Sequence, residues 1–515
     1  MTALESAEDS VASMLEGRDD RWYPAFHIAA RAGWINDPNG LCHFNGRYHV
    51  FFQHNPFGSG WGHIHWGHVS SADLVAWRRE PIAMAPELDA ERDGVFSGSA
   101  AVLPDAEGVP TLAVLYTGHR WRDDGSGGAL QSQCLATSRD GAAFTKHGVV
   151  IACPDGVPDF RDPKIWCTDG RWYLVVGVQT PDGHGEVWLY SSDATTAEGL
   201  IDWRFDRVLY RDPQPGVFMA ECPDFFPLTA PDGRRRWVLV YCAMGARSEG
   251  LQDGTGHEPT NIARYVVGDW APGRPFTDVT APRPCDRGPS YYAPQSMATP
   301  DGRRLTIGWM SAVGGVDGPP EPPQAADGWC GQLTVPRELS LGVGDTLLAV
   351  PARELAGLRT GTRSLGRLEL SAGQVAQLAE DVDAAEIELD VSSGSVTLTV
   401  GLTPGGGGSR IDCDAATGAM TLSCRTAGGD VVTNRAPARR PGADRNPGSD
   451  KPTEPLRVRV LADRGSVEVF AAGRVISSTV FPPAGPRAIE LSCSQAASLI
   501  CRIHRMAPIW ETPDR

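Results

Sequence analysis

Gly46-Arg47-Tyr48-His49-Val50-Phe51-Phe52 is a turn followed by a strand whose apolar residues run on without alternation, the pattern of a strand covered on both faces. The same device recurs as Pro110-Thr111-Leu112-Ala113-Val114-Leu115-Tyr116, Gly170-Arg171-Trp172-Tyr173-Leu174-Val175-Val176, Arg235-Arg236-Trp237-Val238-Leu239-Val240-Tyr241 and Arg304-Leu305-Thr306-Ile307-Gly308-Trp309. The five copies start roughly 60 to 70 residues apart, the period of a propeller blade with long loops. Each is preceded by another short strand, at 37–44, 96–103, 161–167, 221–228 and 292–298, and most are followed by a Ser-x-Asp turn such as Ser71-Ala72-Asp73 or Ser138-Arg139-Asp140. The expectation is an all-β protein with a five-bladed β-propeller. Beyond about residue 365 the pattern changes to alternation, as in Ala385-Glu386-Ile387-Glu388-Leu389-Asp390-Val391, which predicts a C-terminal β-sandwich. The division read from these signals is an N-terminal extension over 1–25, the propeller over 26–340, a linker over 341–364 and the sandwich over 365–515. Residues 405–409 and 435–455 are read as loops, and 352–358 as a single helical turn.

The first strand of a propeller blade lines the central channel, so the starts of the five first strands should converge. That brings Asp37, Ser97, Asp162, Glu221 and Tyr292 together from distant parts of the chain. Asp37 stands in Trp34-Ile35-Asn36-Asp37-Pro38-Asn39-Gly40, where a Pro-Asn-Gly run turns the chain and fixes its carboxylate. Three acids at a channel mouth with aromatic neighbours point to glycoside chemistry, in which one carboxylate must be ionised and one protonated. Asp37 suits the nucleophile. Glu221, among Phe218, Met219, Phe225 and Phe226, suits the acid, because apolar neighbours disfavour its charge. Asp162, beside Arg161 and Lys164, should stay ionised and accept hydrogen bonds from hydroxyls. Arg211-Asp212-Pro213 repeats Arg161-Asp162-Pro163 but opens no inner strand, so Asp212 is read as a turn residue. His63, His65 and His68 have no carboxylate at a matching spacing and are read as loop and core histidines rather than metal ligands.

The chain of 515 residues has a net charge of -16, which argues against a nucleic-acid footprint, and it has no apolar run long enough to span a membrane. The 12 cysteines include no Cys-x-x-Cys pair. They are expected to be free thiols, with Cys413–Cys424 and Cys493–Cys501 as alternative hairpin bridges. The first twenty residues carry acids where a signal peptide would be basic and then apolar, so a cytoplasmic protein is expected, or a secreted one if this is a mature form.

These residues resemble the family-32 glycoside hydrolases, the invertases and related β-fructosidases. Trp34 to Gly40 is similar to that family's nucleophile motif, Arg161-Asp162-Pro163 to its transition-state-stabilising motif and Glu221-Cys222 to its acid/base motif. Phe51-Phe52-Gln53-His54-Asn55-Pro56, Phe96-Ser97-Gly98-Ser99, Tyr292-Ala293-Pro294-Gln295 and Asp463-Arg464-Gly465-Ser466-Val467-Glu468-Val469-Phe470 also match. The resemblance implies a fructosyl-enzyme on Asp37, Glu221 as acid then base, Asp162 on fructose hydroxyls, and a sugar subsite drawn from Asn36, Gln53, Trp61, Phe96, Ser97, Arg161, Cys222 and Tyr292. It implies no metal and no organic cofactor. Ser290 departs from it, since an acidic residue is expected shortly before Tyr292, and this bears on leaving-group contacts. The expected substrate is sucrose or a short fructoside, with hydrolysis and fructosyl transfer both open; the oligomeric state is open too. The alternatives are an exo-inulinase or levanase, a sucrose-6-phosphate hydrolase with His119, Arg120 and Arg122 as phosphate ligands, and a carbohydrate-binding propeller without turnover.

Overall fold

The uninterrupted apolar strands are the second strands of five radially arranged sheets, and each is covered on both faces by its neighbours. In Pro110–Trp121 every residue from Thr111 to His119 is buried. The computed structural model describes residues 1–123, 125, 127–247, 261–311, 322–404, 406–425, 431–436 and 454–511. Blade 1 runs Gly33–Phe44, Arg47–Asn55, His65–Ser71 and Trp77–Arg79. Blades 2, 3 and 4 repeat the meander from first strands Gly94–Pro104, Asp159–Thr168 and Met219–Thr229, and blade 5 begins with Tyr292–Ala298.

The core lies between blades rather than within them. Phe51 and Trp66 of blade 1 pack on Leu112, Val114 and Tyr116 of blade 2. Leu115 and Leu135 pack on Phe160 and Leu174 of blade 3, and Tyr173 and Val175 of that blade on Phe225 and Trp237 of blade 4. Phe226 and Val240 of blade 4, Ile307 of blade 5 and Ile35, Val50 and Phe52 of blade 1 share one cluster, which closes the ring. Closure is reinforced by Trp329–Cys330, which adds to blade 1 in parallel, pairing with Gly33 and Trp34.

The sandwich is two six-stranded antiparallel sheets around a separate apolar core. Residues 341–364, read from the sequence as a linker, carry the fourth strand of blade 5, Thr346–Pro351, then the 3-10 helix Arg353–Leu358 and the start of the first sandwich strand, Arg359–Leu370. Within 1–25 lies an α-helix, Ala3–Leu15, which the strand-dominated reading passed over. Thr2 and Glu5 form a capping box at its start, and Ala7 and Val11 pack on Ala32 and Ile82. Of the two stretches read as loops, residues 405 and 437–453 lie outside the described residues, and Ser409 opens a strand. The Ser-x-Asp segments are turns as expected: Asp73 accepts from the amides of Val75 and Ala76, and Asp140 from those of Ala142 and Ala143. All 12 cysteines are unpaired. No helix among the described residues is long and apolar enough to cross a membrane.

The two domains meet across a close-packed seam. Gly288, just ahead of blade 5, approaches the sandwich so closely that a Cβ there would lie 1.8 Å from the Ser477 carbonyl oxygen. Beneath it is a buried ionic cluster. His27 contacts Asp463 at 2.8 Å and Glu468 at 2.9 Å, and Arg337 binds Asp286 at 2.8 Å and Glu468 at 2.5 Å. The Asp463 to Phe470 motif is therefore what fastens the sandwich to the propeller.

Candidate active site

All five inner strands lose register at the residues singled out from the sequence. Pairing skips between Ile35 and Pro38, Phe96 and Gly98, Arg161 and Lys164, Glu221 and Asp224, and Tyr292 and Gln295. In each case the inner strand carries one residue more than its partner. Such a bulge bends the strand and re-aims a side chain. At three of them a residue other than glycine sits at positive φ: Asp162 at 67°, Cys222 at 46° and Ala293 at 45°. That conformation costs of order 1–3 kcal/mol apiece and is held by the surrounding sheet.

The result is a connected row of polar groups. Asn36 Nδ2 donates to Asp37 Oδ1 at 3.0 Å, and Ser97 Oγ donates to Asp37 Oδ2 at 2.6 Å. Cys222 Sγ lies 3.4 Å from Asp37 Oδ2 and 3.5 Å from Asp162 Oδ2, and its amide donates to Asp162 Oδ2 at 2.9 Å. Arg161 donates to Glu221 Oε1 at 2.6 Å and approaches Asp162 Oδ2 at 3.8 Å. Tyr292 closes the row with a hydrogen bond to Glu221 Oε2. Asp37, Asp162, Glu221, Asn36, Ser97, Arg161, Cys222 and Tyr292 are thus one unit, two hydrogen-bonded groups joined by the Arg161–Asp162 ion pair. Phe96 and Trp61 extend it outward. Trp61, 52% exposed, packs edge-on against Phe96 at 6.1 Å, and Phe96 stacks on His119 at 4.1 Å with Trp121 beyond. Gln53 is buried and joins the unit only indirectly, through its hydrogen bond to the Val95 carbonyl.

Two electrostatic expectations change. Lys164 does not serve Asp162: its ammonium binds Asp224 at 3.2 Å and the Ser296 carbonyl at 2.5 Å. Asp162 is raised to about 7, by burial first and also by Glu221 and Asp37, against the lowering pull of Arg161. Asp37 is also raised, by burial first and by Glu221, against the lowering effect of Ser97 and Asn36. The Glu221 carboxylate does not sit in a purely apolar pocket. Phe225 packs between blades 3 and 4 against Trp166 and Trp237, and the hydrogen bonds to the Glu221 carboxylate come from Arg161 and Tyr292. Cys222, raised well above the ordinary thiol range by burial and by Asp162 and Asp37, keeps its S–H and donates to both acids.

Sequence reasoning missed the residues that support this row from the second and third strands of blade 2. Thr117 Oγ1 accepts from the Asp162 amide at 2.9 Å, and Gln131 Oε1 accepts from Arg161 at 3.3 Å. Their signal is polarity where the strand pattern is otherwise apolar. Asp159, which also binds Arg161, sits two residues before it and was likewise passed over. Ser290 lies at the domain seam, where its Oγ meets Thr479 Oγ1 at 3.1 Å. Asp212 accepts from the Gln214 amide at 2.7 Å, the turn contact expected of it, and also from Tyr241. His68 stacks on Phe51 and His65 binds the His63 carbonyl; among the described residues no group of three or more side chains could hold a metal ion.

The family model described as "Glycosyl hydrolases family 32 N-terminal domain" matches residues 27–351, and "Glycosyl hydrolases family 32 C terminal" matches 354–504. The chain belongs to glycoside hydrolase family 32. It is 37% identical over 502 residues to a sucrose-6-phosphate hydrolase of Escherichia coli, covering 96% of this chain and 97% of that one. It is 35% identical over 507 residues to a raffinose invertase of Escherichia coli, again covering 96% and 97%. Its fold is similar to a solved Bombyx mori GH32 beta-fructofuranosidase, with a TM-score of 0.80, 29% identity and 99% of each chain covered. As a family-32 member the protein is a glycoside hydrolase, and the five-bladed propeller with its sandwich is that family's architecture.

Proposed function

We propose that the protein is a retaining β-fructofuranosidase acting on sucrose. The observation that carries this reading is the joining of Asp37, Asp162 and Glu221 into one row with a single guanidinium, Arg161, among them. Three carboxylates against one cation favour keeping a proton in the row near neutrality, and hydrolysis of a glycoside needs one such proton and one free carboxylate. Asp37 attacks the anomeric carbon of the fructosyl unit; the bond to the leaving oxygen breaks, and Glu221 gives that oxygen its proton. Water then attacks the ester, Glu221 takes the proton back, and fructose leaves with Asp37 freed. A second sugar in place of that water gives fructosyl transfer. Asp162, held by the Cys222 amide and thiol, accepts from fructose hydroxyls, and the Trp61–Phe96 edge offers apolar surface to the leaving sugar.

Sucrose 6-phosphate is the second reading, favoured by the name of the Escherichia coli relative. The residues considered for its phosphate are mostly engaged. Arg120 pairs with Asp89 at 2.7 Å, and His119 is stacked, with burial lowering it to about 4; Arg122 binds the Ala129 carbonyl at 3.1 Å. Unphosphorylated sucrose is therefore expected to give the higher kcat/KM, by about tenfold or more, the discrimination one unpaired buried polar group supplies. Steady-state rates on the two sugars decide it, and a preference for the phosphorylated sugar would overturn this choice. Retention is checked by nuclear magnetic resonance of the first product, which should be β-fructofuranose before mutarotation; α-anomer would rule the mechanism out.

The price of the site appears in stability. Asp162 has a folded value near 7 against 3.8, so its ionisation weighs on the fold increasingly as pH rises towards 7, reaching on the order of 4 kcal/mol above it. Asp162→Asn is expected to raise the melting temperature more at pH 8 than at pH 5 while lowering kcat by about a hundredfold or more. A melting temperature that falls equally at both values would contradict this account.

A further inference from the structure

Strand Arg47–Asn55 turns Gln53 towards the catalytic row, whereas Phe52 and His54 face the other way. On that far side a cavity of about 460 Å3 lies between blade 1 and the N-terminal helix, with Val11 of the helix on one wall and Phe52 and Ile82 among the others. Its volume falls in the range of small-molecule sites. No residue of the catalytic row lines it.

His54 lines this cavity and is 4% exposed. Its Nδ1 meets the Trp34 carbonyl at 2.8 Å. A carbonyl can only accept, so Nδ1 carries the proton, and the neutral ring presents Nε2 as a bare acceptor. Burial keeps the ring neutral, lowering it to about 4. No described residue donates to Nε2. An acceptor open to the cavity with no protein donor is complemented by a group that brings an O–H or N–H.

The charges around the cavity indicate what kind of molecule this is. Arg31 and Arg79 balance Glu8 and Glu80, so no net charge selects an ion. Glu8 accepts from the Ile82 amide at 2.7 Å, Glu80 from Ser70 Oγ at 2.5 Å, and Arg79 donates to the Tyr23 hydroxyl at 2.8 Å while lying 3.7 Å over Trp510. Apolar walls suit the C–H faces of a sugar, and the imidazole suits one of its hydroxyls. We propose that the cavity between the N-terminal helix and blade 1 is a second binding site, taking a neutral polyol of monosaccharide size with a hydroxyl donated to His54 Nε2.

The test uses the full chain and sorbitol, which has no glycosidic bond to cleave. Crystals soaked in sorbitol are expected to show it under the helix with a hydroxyl within hydrogen-bond distance of His54 Nε2. Water alone there, or sorbitol confined to the channel mouth, would overturn the proposal. In calorimetry, Val11→Phe fills the cavity from the helix side and is expected to weaken sorbitol binding by about tenfold or more while kcat/KM on sucrose stays within about twofold. Equal binding by the variant and the parent, or binding in the crystal with none in solution, counts against the site. If Val11→Phe melts early, Ile82→Phe fills the cavity from the propeller side and is read by the same two outcomes.

Discussion

Asp37→Asn should lower kcat on sucrose by about four orders of magnitude or more, the scale of loss when a nucleophile is removed from a catalytic unit. The amide keeps the shape of the carboxylate. Its oxygen can still accept from Ser97, which donates at 2.6 Å in the parent, and the bulge between Ile35 and Pro38 is set by backbone pairing that the change does not touch. The substitution also removes one of three adjacent negative charges, so the melting temperature should stay level or rise. Activity and stability then move independently, which a merely structural Asp37 could not produce. Glu221→Gln separates the two roles. It should match Asp37→Asn on sucrose but recover much of its first-step rate on a fructoside whose leaving group needs no proton, whereas Asp37→Asn should recover none. Either variant turning over sucrose within about tenfold of the parent would remove the assignment.

Convergence of these acids was legible because the repeat was legible. Strands such as Leu174-Val175-Val176 are apolar on both faces only if both faces are covered, and five of them at one spacing leave few architectures. The bulges were not legible. Nothing in the propensities of Asp162, Cys222 or Ala293 requires positive φ, and the conformation is imposed by the paired strands rather than chosen locally. The partners of the acids were hidden for a related reason. Lys164 stands two residues from Asp162 in sequence, yet the extra residue of the bulge leaves it on Asp224, and it was Arg161, assigned to Asp162, that proved to be the main partner of Glu221. Chain closure by Trp329–Cys330 is a two-residue parallel pairing, too short to leave a periodic trace. The N-terminal helix does carry a sequence signal, Thr2 with Glu5 at capping-box spacing, but one capping pair ahead of few apolar residues is a weak signal beside the strand repeat.

Glu468→Gln is expected to cost on the order of 3–5 kcal/mol, the scale for breaking a buried ion pair by removing one partner. Glu468 is fully buried between His27 and Arg337, and the amide would leave both cations short of an acceptor charge. The sign of the pH dependence follows from the shifts. Despite burial, hydrogen bonds and attraction from Asp463 and Glu468 raise His27 from 6.5 to about 9, so its contribution, on the order of 3 kcal/mol, is complete below about pH 6.5 and is lost as pH climbs through 9. Glu468, held against burial by Arg337 and His27, falls from 4.5 to about 2; its contribution is complete above about pH 4.5 and is lost as pH drops towards 2. The parent should therefore be most stable between about pH 4.5 and 6.5 as far as this cluster governs it, and Glu468→Gln should flatten both flanks. Asp412→Asn, which breaks an exposed pair with Arg410, is the control and should cost about 1 kcal/mol at most. Denaturant titrations across pH read both, and a Glu468→Gln curve no lower than the control would refute the cluster's role. The loss should also reach the chemistry. Asp286, bound by Arg337 and Ser477, and Ser290, bound to Thr479, lead directly into Tyr292, whose hydroxyl holds Glu221. With that seam loosened, kcat on sucrose measured well below the melting temperature should fall severalfold, because a carboxylate that gives and retakes a proton at one oxygen depends on the residues that fix its angle.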